Sequence, residues 1–364
     1  MSTTTHRIYN FSAGPCTLPL EALEAARDQF VEYQNTGMSL IEMSHRSKTV
    51  DAVHCQAIAS VKEILNLPEN YHVLFLGGGA TFQFSMIPLN LLAGGQRADY
   101  THSGAWAKKA IADAKLVGDV NLVFDGKDSN YMTLPDPASV KTSEGSQYLH
   151  LTSNETIGGV QWKDFPTVDV PLVADMSSDI MSRPFDVSKF GLIYAGAQKN
   201  IGPAGVALVI IRDDVLAKCP GNLTNYLNYQ NHVDGNSMLN TPPVFQIWMI
   251  QLVLDWLKGK GGLIWAQDMA AQRSGILYDM INKHGEFYRC PVDERYRSTM
   301  NIVWRCPSEE LEAKFVKEAD AAGLSGLKGH RSVGGCRASI YNAMPLEGAQ
   351  ALADFMDQFA VANG

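Results

Sequence analysis

The sequence predicts an α/β protein with a large domain built on a mostly parallel sheet and a smaller α+β domain. Two observations predict this fold. Segments with helical apolar spacing alternate with short apolar runs and glycine turns, which is typical of a parallel sheet wrapped by helices. A glycine-rich stretch at residues 259–262 then separates this pattern from a C-terminal part with few strands. We therefore expect residues 16–260 to form the large domain, and residues 1–15 together with 261–364 to form the small one.

Each element follows from its own pattern. Apolar residues at 20, 23, 30 and 33 recur at near-helical spacing after Pro19, and those from Val50 to Leu65 predict a clearer helix. Short apolar runs predict about seven strands in the large sheet, among them residues 73–76, 122–124, 148–151, 171–174, 192–195 and 206–211. A long helix is predicted over 244–258. The C-terminal order is helix 264–284, strand 300–304, helix 309–322, strand 338–341 and helix 346–362.

The composition argues against several classes of protein. The 364 residues carry 30 lysines and arginines against 38 aspartates and glutamates, and the net charge of −8 argues against a general nucleic-acid binder. The six cysteines are scattered, so neither a metal site nor a disulfide framework is expected. The longest apolar stretch, residues 244–257, contains polar residues and is too short to span a membrane. Because residues 1–13 contain no apolar leader, we expect a cytoplasmic protein.

A lysine and an aspartate give the strongest local signal. Asp175 follows one apolar run, and Lys199 follows the next, 24 positions later. Neighbouring parallel strands would place both at the sheet edge where α/β proteins bind ligands. A pyridoxal phosphate site needs this pair: a lysine that forms a Schiff base and a carboxylate on the pyridinium nitrogen. Taken separately, Lys199 is equally well a surface lysine, and Asp175 an N-cap before Ser177.

A glycine turn offers a second signal. Residues 77–79 are glycines between an apolar run and a predicted helix, so the N–H groups around Ala80 and Thr81 could bind a phosphate. The stretch matches neither G-x-G-x-x-G nor the P-loop, which argues against a nicotinamide dinucleotide site.

With these residues placed, essentially the whole chain resembles the phosphoserine aminotransferase family. The resemblance is carried by YNFSAGP (9–15), MSHR (43–46), NETI (154–157), DMSS (175–178), GAQKNIGPAG (196–205), NTPP (240–243) and KGHRSVGGCRASIYNA (328–343). It implies a class-V, fold-type-I enzyme dependent on pyridoxal 5′-phosphate, and a homodimer with shared active sites. The implied reaction, part of serine biosynthesis, converts 3-phosphohydroxypyruvate and L-glutamate reversibly to O-phospho-L-serine and 2-oxoglutarate. The vitamin B6 intermediate 4-phosphohydroxythreonine is a second candidate substrate.

The resemblance also implies a role for each site residue. Lys199 would carry the cofactor as a Schiff base, Asp175 would pair with its ring nitrogen, and Trp106 would stack on the ring. The other implied cofactor contacts are Ala80, Thr81, Thr156, Gln198, and Asn240 and Thr241 of the partner subunit. The implied substrate contacts are Ser12, Arg337 on the α-carboxylate, and His45 and Arg46 with His330 and Arg331 of the partner subunit on the phosphate or the glutamate side chain. Some family members carry an arginine in place of Thr81 and a serine in place of Ala13.

Several alternatives stay open at this point. Without the resemblance, Trp106 is more simply a core residue, His330 and Arg331 a solvated basic pair, and Arg337 half of a structural salt bridge. A cysteine desulfurase or another small-substrate aminotransferase would share the fold, but a desulfurase needs a reactive cysteine over the cofactor. Cys336 is the only cysteine close to a site residue in sequence, and we interpret it as packing. A non-catalytic metabolite-binding protein is the alternative from another class, and the presence of both Lys199 and Asp175 argues against it.

Overall fold

A computed structural model describes residues 7–364 of the chain. Its helices are α1 (Leu20–Asp28), α2 (Lys48–Leu65), α3 (Ala80–Leu91), α4 (Ala105–Ala114), α5 (Asp213–Leu216), α6 (Tyr229–Asp234), α7 (Val244–Lys260), α8 (Gly262–Lys283), α9 (Glu309–Ala321) and α10 (Leu346–Asn363). Its strands are β1 (Tyr9–Asn10), β2 (Tyr71–Gly77), β3 (Arg97–His102), β4 (Asp119–Asp125), β5 (Ser146–Thr152), β6 (Asn154–Glu155), β7 (Val160–Gln161), β8 (Leu172–Asp175), β9 (Phe190–Gly196), β10 (Val206–Arg212), β11 (Asn301–Trp304), β12 (Leu324–Ser325) and β13 (Cys336–Ser339). Short 3-10 turns lie at Leu40–Glu42, Ala93–Gly95, Gly126–Ser129, Pro137–Ser139, Val187–Lys189, Asn225–Leu227 and Glu294–Tyr296.

The predicted large sheet is confirmed, and it has seven strands. They follow the order β2-β10-β9-β8-β5-β3-β4, and neighbours are parallel except around β10, which is antiparallel to both β2 and β9. Strand β3 is the member that the apolar runs did not single out. Asp99 is buried within it because its carboxylate accepts hydrogen bonds from the Ser143 N–H at 2.7 Å and the Asn121 amide at 2.8 Å. Such a strand lacks the continuous apolar pattern of its neighbours.

Helices cover both faces of this sheet. Alternate residues of β2 point to opposite sides, so Phe75 joins one apolar cluster while Leu74 and Leu76 join another. Helices α2 and α7 contribute to the first cluster, and α3, α4 and α6 contribute to the second. Burial on both faces explains why most strands of the sheet are nearly continuous apolar runs in the sequence.

A further apolar cluster lies in the C-terminal part of the chain. It includes Trp304, Phe315 and Phe359, and Phe11 from the N-terminal segment packs into it. Strand β1 pairs in parallel with β12, which attaches the same segment to this part. The division into residues 16–260 and residues 1–15 with 261–364 stays a prediction, and residues 1–6 lie outside the described part.

Most helix bounds agree with the sequence prediction to within a few residues, but α1 does not. It ends at Asp28, so Phe30 and Tyr33 do not belong to it. Gln34 and Asn35, in the turn that follows, have φ values of 48° and 60°, which a continuing helix does not allow. Among residues 7–364, no helix is both long and apolar enough to cross a membrane.

Candidate active site

The parallel pairing of β8 with β9 places Asp175 and Lys199 at one edge of the sheet. Asp175 is the last residue of β8 and pairs with Tyr194 of β9. Lys199 follows β9 in a tight turn, in which the N–H groups of Lys199 and Gly202 both donate to the carbonyl of Ala197. The two side chains are buried, with exposed fractions of 4% for Asp175 and 8% for Lys199. The alternative of a surface lysine at a strand end is therefore wrong.

Lys199 is held by a hydroxyl group rather than by a carboxylate. Its Nζ donates to Thr156 Oγ1 at 2.6 Å and lies 5.6 Å from the ring centroid of Trp106. Burial lowers the pKa of Lys199 to about 8, and the nearby charge of Asp175 opposes this shift without cancelling it. A minor but substantial part of the side chain is therefore the neutral amine at neutral pH.

Asp175 also serves as a local cap. The N–H of Ser177 donates to its Oδ1 at 2.9 Å, so the capping role predicted as an alternative is present as well. Burial raises the pKa of Asp175, whereas the Ser177 hydrogen bonds and the charge of Lys199 lower it. A positive charge on a ligand in this cavity would favour the carboxylate further.

One cavity brings most of the predicted cofactor residues together. It is lined by Gly79, Ala80, Thr81, Trp106, Thr152, Asn154, Thr156, Asp175, Ser177, Ser178, Gln198 and Lys199. Sequence reasoning missed Thr152, Asn154, Ser177 and Ser178 as lining residues. The available signal was that Asn154 lies within the NETI stretch, and the two serines within the DMSS stretch, that carry the resemblance. Thr152 could be found only from the strand register, which pairs it with Asp175.

The polar lining of this cavity fits pyridoxal phosphate. Thr152 Oγ1 and Asn154 Oδ1 are buried without a hydrogen-bond partner among the described residues, and such atoms are normally satisfied by protein, water or ligand. Helix α3 begins at Ala80, and its N-cap Gly79 has no side chain to cap it. The first N–H groups of α3 therefore face the cavity region as donors for an anion.

Arg337 lies beside this cavity. It is 9% exposed on β13, and its Nη1 is 3.4 Å from the carbonyl oxygen of Thr156. Its Nε has no partner among residues 7–364, and burial lowers the pKa of the guanidinium. A buried arginine without a carboxylate is unfavourable unless a ligand supplies one. The alternative of a structural salt bridge is not supported.

The remaining predicted cofactor contacts, Asn240 and Thr241, and the predicted substrate contacts in residues 45–46 and 330–331 do not line the cavity. Asn240, Thr241, Arg46 and Arg331 are exposed, and His45 and His330 are half-buried. Gly329 and Gly334 line a cavity together with Arg337, so this loop lies near Arg337 of its own chain. Burial lowers the pKa of His330, and the nearby charge of Arg337 lowers it further.

The N-terminal segment also borders the site. The N–H of Ser12 donates to Asn10 Oδ1 at 3.0 Å, so the structure gives this residue a local role. A side chain at Gly14 would meet Cγ of both Gln198 and Lys199 at 3.4 Å. Gly14 therefore keeps this segment close to the lysine turn.

Cys336 does not suit a desulfurase. The thiol is buried on β13, and its neighbour Cys306 together with burial raises its pKa. A thiol with a raised pKa carries little thiolate and is a poor nucleophile. The interpretation of Cys336 as packing agrees with these surroundings.

Comparison with known proteins assigns the whole chain to one family. The sequence profile described as Aminotransferase class-V matches residues 8–352. The phosphoserine aminotransferase of Niallia circulans is 52% identical over 359 residues, which cover 98% of this chain and 99% of the relative.

Two solved structures agree with this assignment. The phosphoserine aminotransferase from Bacillus circulans subsp. alkalophilus has a TM-score of 0.97 at 52% identity and covers 99% of this chain and 100% of its own. The PLP-bound phosphoserine aminotransferase from Trichomonas vaginalis has a TM-score of 0.89 at 37% identity, with coverage of 96% and 100%. The chain therefore belongs to the class-V aminotransferase family and, within it, to the phosphoserine aminotransferases.

Proposed function

We propose that this chain is a phosphoserine aminotransferase that uses pyridoxal 5′-phosphate. It transfers the amino group of L-glutamate to 3-phosphohydroxypyruvate. The products are O-phospho-L-serine and 2-oxoglutarate, and the reaction is reversible. One observation carries the proposal: Lys199 and Asp175 are buried in the same cavity as Trp106, beside a buried Arg337 whose Nε has no partner among the described residues. A non-catalytic binding protein would not need a buried lysine whose pKa is close to neutral.

When bound, the cofactor supplies an electron sink for the pair of electrons left at the substrate α-carbon. Lys199 would hold the cofactor covalently, and the carboxylate of Asp175 would keep the ring nitrogen protonated through its opposite charge. Trp106 would fix the plane of the ring by stacking. Backbone N–H groups at Ala80 and Thr81 would bind the phosphate, together with Gln198.

Lys199 also moves the proton in this mechanism. Its free amine would be the base that takes the proton from the substrate α-carbon, and its ammonium form would return a proton to the cofactor carbon that had carried the lysine, two bonds away. A pKa of about 8 suits both directions, because neither the amine nor the ammonium form is rare at neutral pH. Thr156 Oγ1 accepts a hydrogen bond from Nζ at 2.6 Å and would fix the position of the amine in the cavity. We also assign to Thr156 a contact with the ring hydroxyl of the cofactor.

Substrate recognition rests on cations. The planar guanidinium of Arg337 can make two parallel hydrogen bonds to the α-carboxylate. The phosphate carries about −1.5 to −2 charges near neutral pH and needs several donors, for which we assign His45 and Arg46 with His330 and Arg331 of the partner subunit. Because the whole chain has a net charge of −8, a local group of cations is needed to hold an anionic substrate.

A homodimer would complete this site. Asn240 and Thr241 are exposed in the isolated chain, as a contact to a partner's cofactor requires. Large apolar side chains are also exposed in the same N-terminal region as His45 and near Asn240; they are Phe30, Val31, Met38, Ile41 and Leu239. Exposed apolar side chains in such number are typical of a protein–protein interface. We assign this surface to contact with a second copy of the chain.

A donor panel on purified protein tests the function. Phosphoserine with 2-oxoglutarate should give rapid glutamate formation, while serine, aspartate and alanine should be poor donors because they lack the phosphate. 4-Phosphohydroxythreonine belongs in the same panel as the second candidate substrate. Sulfide release from cysteine would favour the desulfurase, equal use of alanine would favour another small-substrate aminotransferase, and cofactor binding without any transfer would favour a binding protein.

Mixing of subunits tests the shared site. Lys199→Ala and Arg331→Ala proteins, each nearly inactive alone, should regain activity together, because one site of the hybrid dimer would combine intact Lys199 with intact Arg331 of the partner subunit. Because the loop that carries His330 also lies near Arg337 of its own chain, the experiment decides which of the two sites of the dimer this loop serves. Subunit exchange without recovered activity would assign residues 330–331 to the site of their own chain.

A further inference from the structure

Glu155 is a buried carboxylate that the mechanism above does not use. It is 1% exposed at the end of β6, directly before Thr156. Its Oε1 accepts hydrogen bonds from the Ala107 N–H at 3.0 Å and the Ser103 hydroxyl at 3.3 Å, and its Oε2 accepts one from the Trp106 N–H at 3.1 Å. Glu155 thus binds the first turn of α4 from a position about 50 residues away in the chain.

Helix α4 depends on this distant carboxylate for its N-terminal cap. The N-cap position is Gly104, which has no side chain to accept the first N–H groups. Those groups, on Trp106 and Ala107, are the ones that an N-cap side chain normally satisfies. A carboxylate is the most favourable partner there because the N-terminus of a helix carries a partial positive charge.

Gly104 also makes the close approach of Glu155 possible. A Cβ atom at this position would lie 2.6 Å from Cδ of Glu155 and 2.9 Å from its Cγ and Oε2. No side chain fits at that distance. The absence of a side chain at Gly104 therefore leaves the space that Glu155 occupies when it contacts α4.

The contact joins two parts of the cofactor site. Trp106, whose N–H bonds Oε2, has its ring centroid 5.6 Å from Lys199 Nζ. Thr156, the residue after Glu155, accepts the hydrogen bond from the same Nζ at 2.6 Å. A shift of the Glu155 side chain would therefore move the aromatic ring relative to both the hydroxyl and the amine.

We propose that Glu155 is a positioning residue, whose carboxylate holds the first turn of α4 so that the ring of Trp106 keeps a fixed place opposite Thr156 and Lys199. The inference rests on the proposed function, because the position of the ring matters only if Trp106 stacks on the cofactor. The electrostatics agree with it. Burial and the charge of Asp175 raise the pKa of Glu155 to about 7, while its hydrogen bonds to α4 and Ser103 lower it. Those bonds are thus what keeps a substantial part of the carboxylate ionised at neutral pH.

A double-mutant cycle with Trp106 tests the proposal. The dissociation constant of pyridoxal phosphate is measured by equilibrium dialysis, and visible circular dichroism records how rigidly the bound cofactor is oriented. Trp106→Ala should raise the dissociation constant about two- to tenfold, the worth of one aromatic stacking contact. Glu155→Gln should raise it by a similar factor and weaken the dichroic band. In the Trp106→Ala background, Glu155→Gln should have less than about a twofold effect, because the ring through which it acts is gone.

Asp99→Asn is the matched control. Asp99 is also a buried carboxylate that accepts bonds from a backbone N–H and side chains, but it does not line the cofactor cavity. It should leave both the dissociation constant and the dichroic band unchanged. If Glu155→Gln behaves like Asp99→Asn, or has the same effect with and without Trp106, the positioning role is wrong.

A second variant covers the case in which Glu155→Gln does not fold. Gly104→Ala should displace the Glu155 side chain and weaken the dichroic band in the same way, since its methyl group would overlap Cδ. Wild-type cofactor binding and dichroism in Gly104→Ala would overturn the proposal. A wild-type protein that binds no cofactor would overturn the proposed function as well, which distinguishes the two failures.

Discussion

The lowered pKa of Lys199 predicts how cofactor attachment depends on pH. Attachment requires the neutral amine, because only the free electron pair attacks the aldehyde carbon. With a pKa of about 8, about one lysine in ten is neutral at pH 7 and about nine in ten at pH 9. With the ordinary lysine pKa of 10.5, only about one in three thousand would be neutral at pH 7. With a pKa of about 8, the rate of cofactor attachment should therefore rise about tenfold from pH 7 to pH 9 and then level off. With the ordinary pKa of 10.5, it would rise about a hundredfold over the same range and continue upward.

Stopped-flow mixing of cofactor-free protein with excess pyridoxal phosphate measures this rate through the visible absorbance of the bound cofactor. Asp175→Asn sharpens the test, because the charge of Asp175 raises the pKa of Lys199. Without that charge the pKa should fall further, and the plateau should begin at a lower pH. Lys199→Ala, which cannot attach the cofactor, is the blank. A rate that still rises in proportion to hydroxide above pH 9 would refute the reasoning from burial, and an unchanged plateau in Asp175→Asn would refute the coupling.

Four further predictions follow from the same geometry. Borohydride treatment of the holoenzyme should leave the pyridoxyl group on the peptide that contains Lys199, and a label on another lysine would show that the assignment is wrong. Asp175→Asn should still fold and bind cofactor, but its turnover number should fall strongly because an amide does not hold the ring proton; near wild-type turnover would contradict the electron-sink role. Arg337→Lys should raise KM for phosphoserine about ten- to a hundredfold, the worth of one charge-assisted hydrogen bond of about 1.5–3 kcal/mol, with the cofactor absorbance unchanged. Glu155→Gln should gain stability relative to wild type as the pH rises between 4.5 and about 7, since wild-type Glu155 loses its proton near 4.5 when unfolded but only near 7 when folded. Wild type therefore loses stability across that window, and a difference in thermal midpoint that does not vary with pH would contradict the raised pKa.

The parts of the fold that the sequence predicted well are those with a local signal. Helix α2 shows a clear apolar stripe, and the runs that became β8 and β9 are buried on both faces, so each could be recognised from a few consecutive residues. The positions of Asp175 and Lys199 follow from these two strands, because neighbouring parallel strands bring their carboxyl ends together.

The parts that the sequence did not reveal depend on partners far away in the chain. Asp99 can be buried in β3 because Ser143 and Asn121 donate hydrogen bonds to its carboxylate. No pattern in the sequence indicates either contact. Glu155 was noticed as a member of a motif, but its capping of α4 depends on the missing side chain of Gly104. The spacing of residues along the chain does not indicate hydrogen bonds between distant residues. The burial of polar residues such as Asp99 and Glu155 is therefore known only from the structure.

The one antiparallel strand of the sheet explains how the phosphate turn reaches the lysine. Strands β2 and β9 are not neighbours, but each pairs with β10 in antiparallel register, so both end at the edge where β10 begins. Gly77 of β2 pairs with Val206, the first residue of β10, and the N–H of Gly78 donates to the carbonyl of Gly205 at 3.0 Å. A parallel β10 would begin at the opposite edge and could not join these two turns. The reversal thus places the start of α3 next to the turn that carries Lys199, which is the arrangement that a cofactor with a phosphate at one end and an aldehyde on the ring requires.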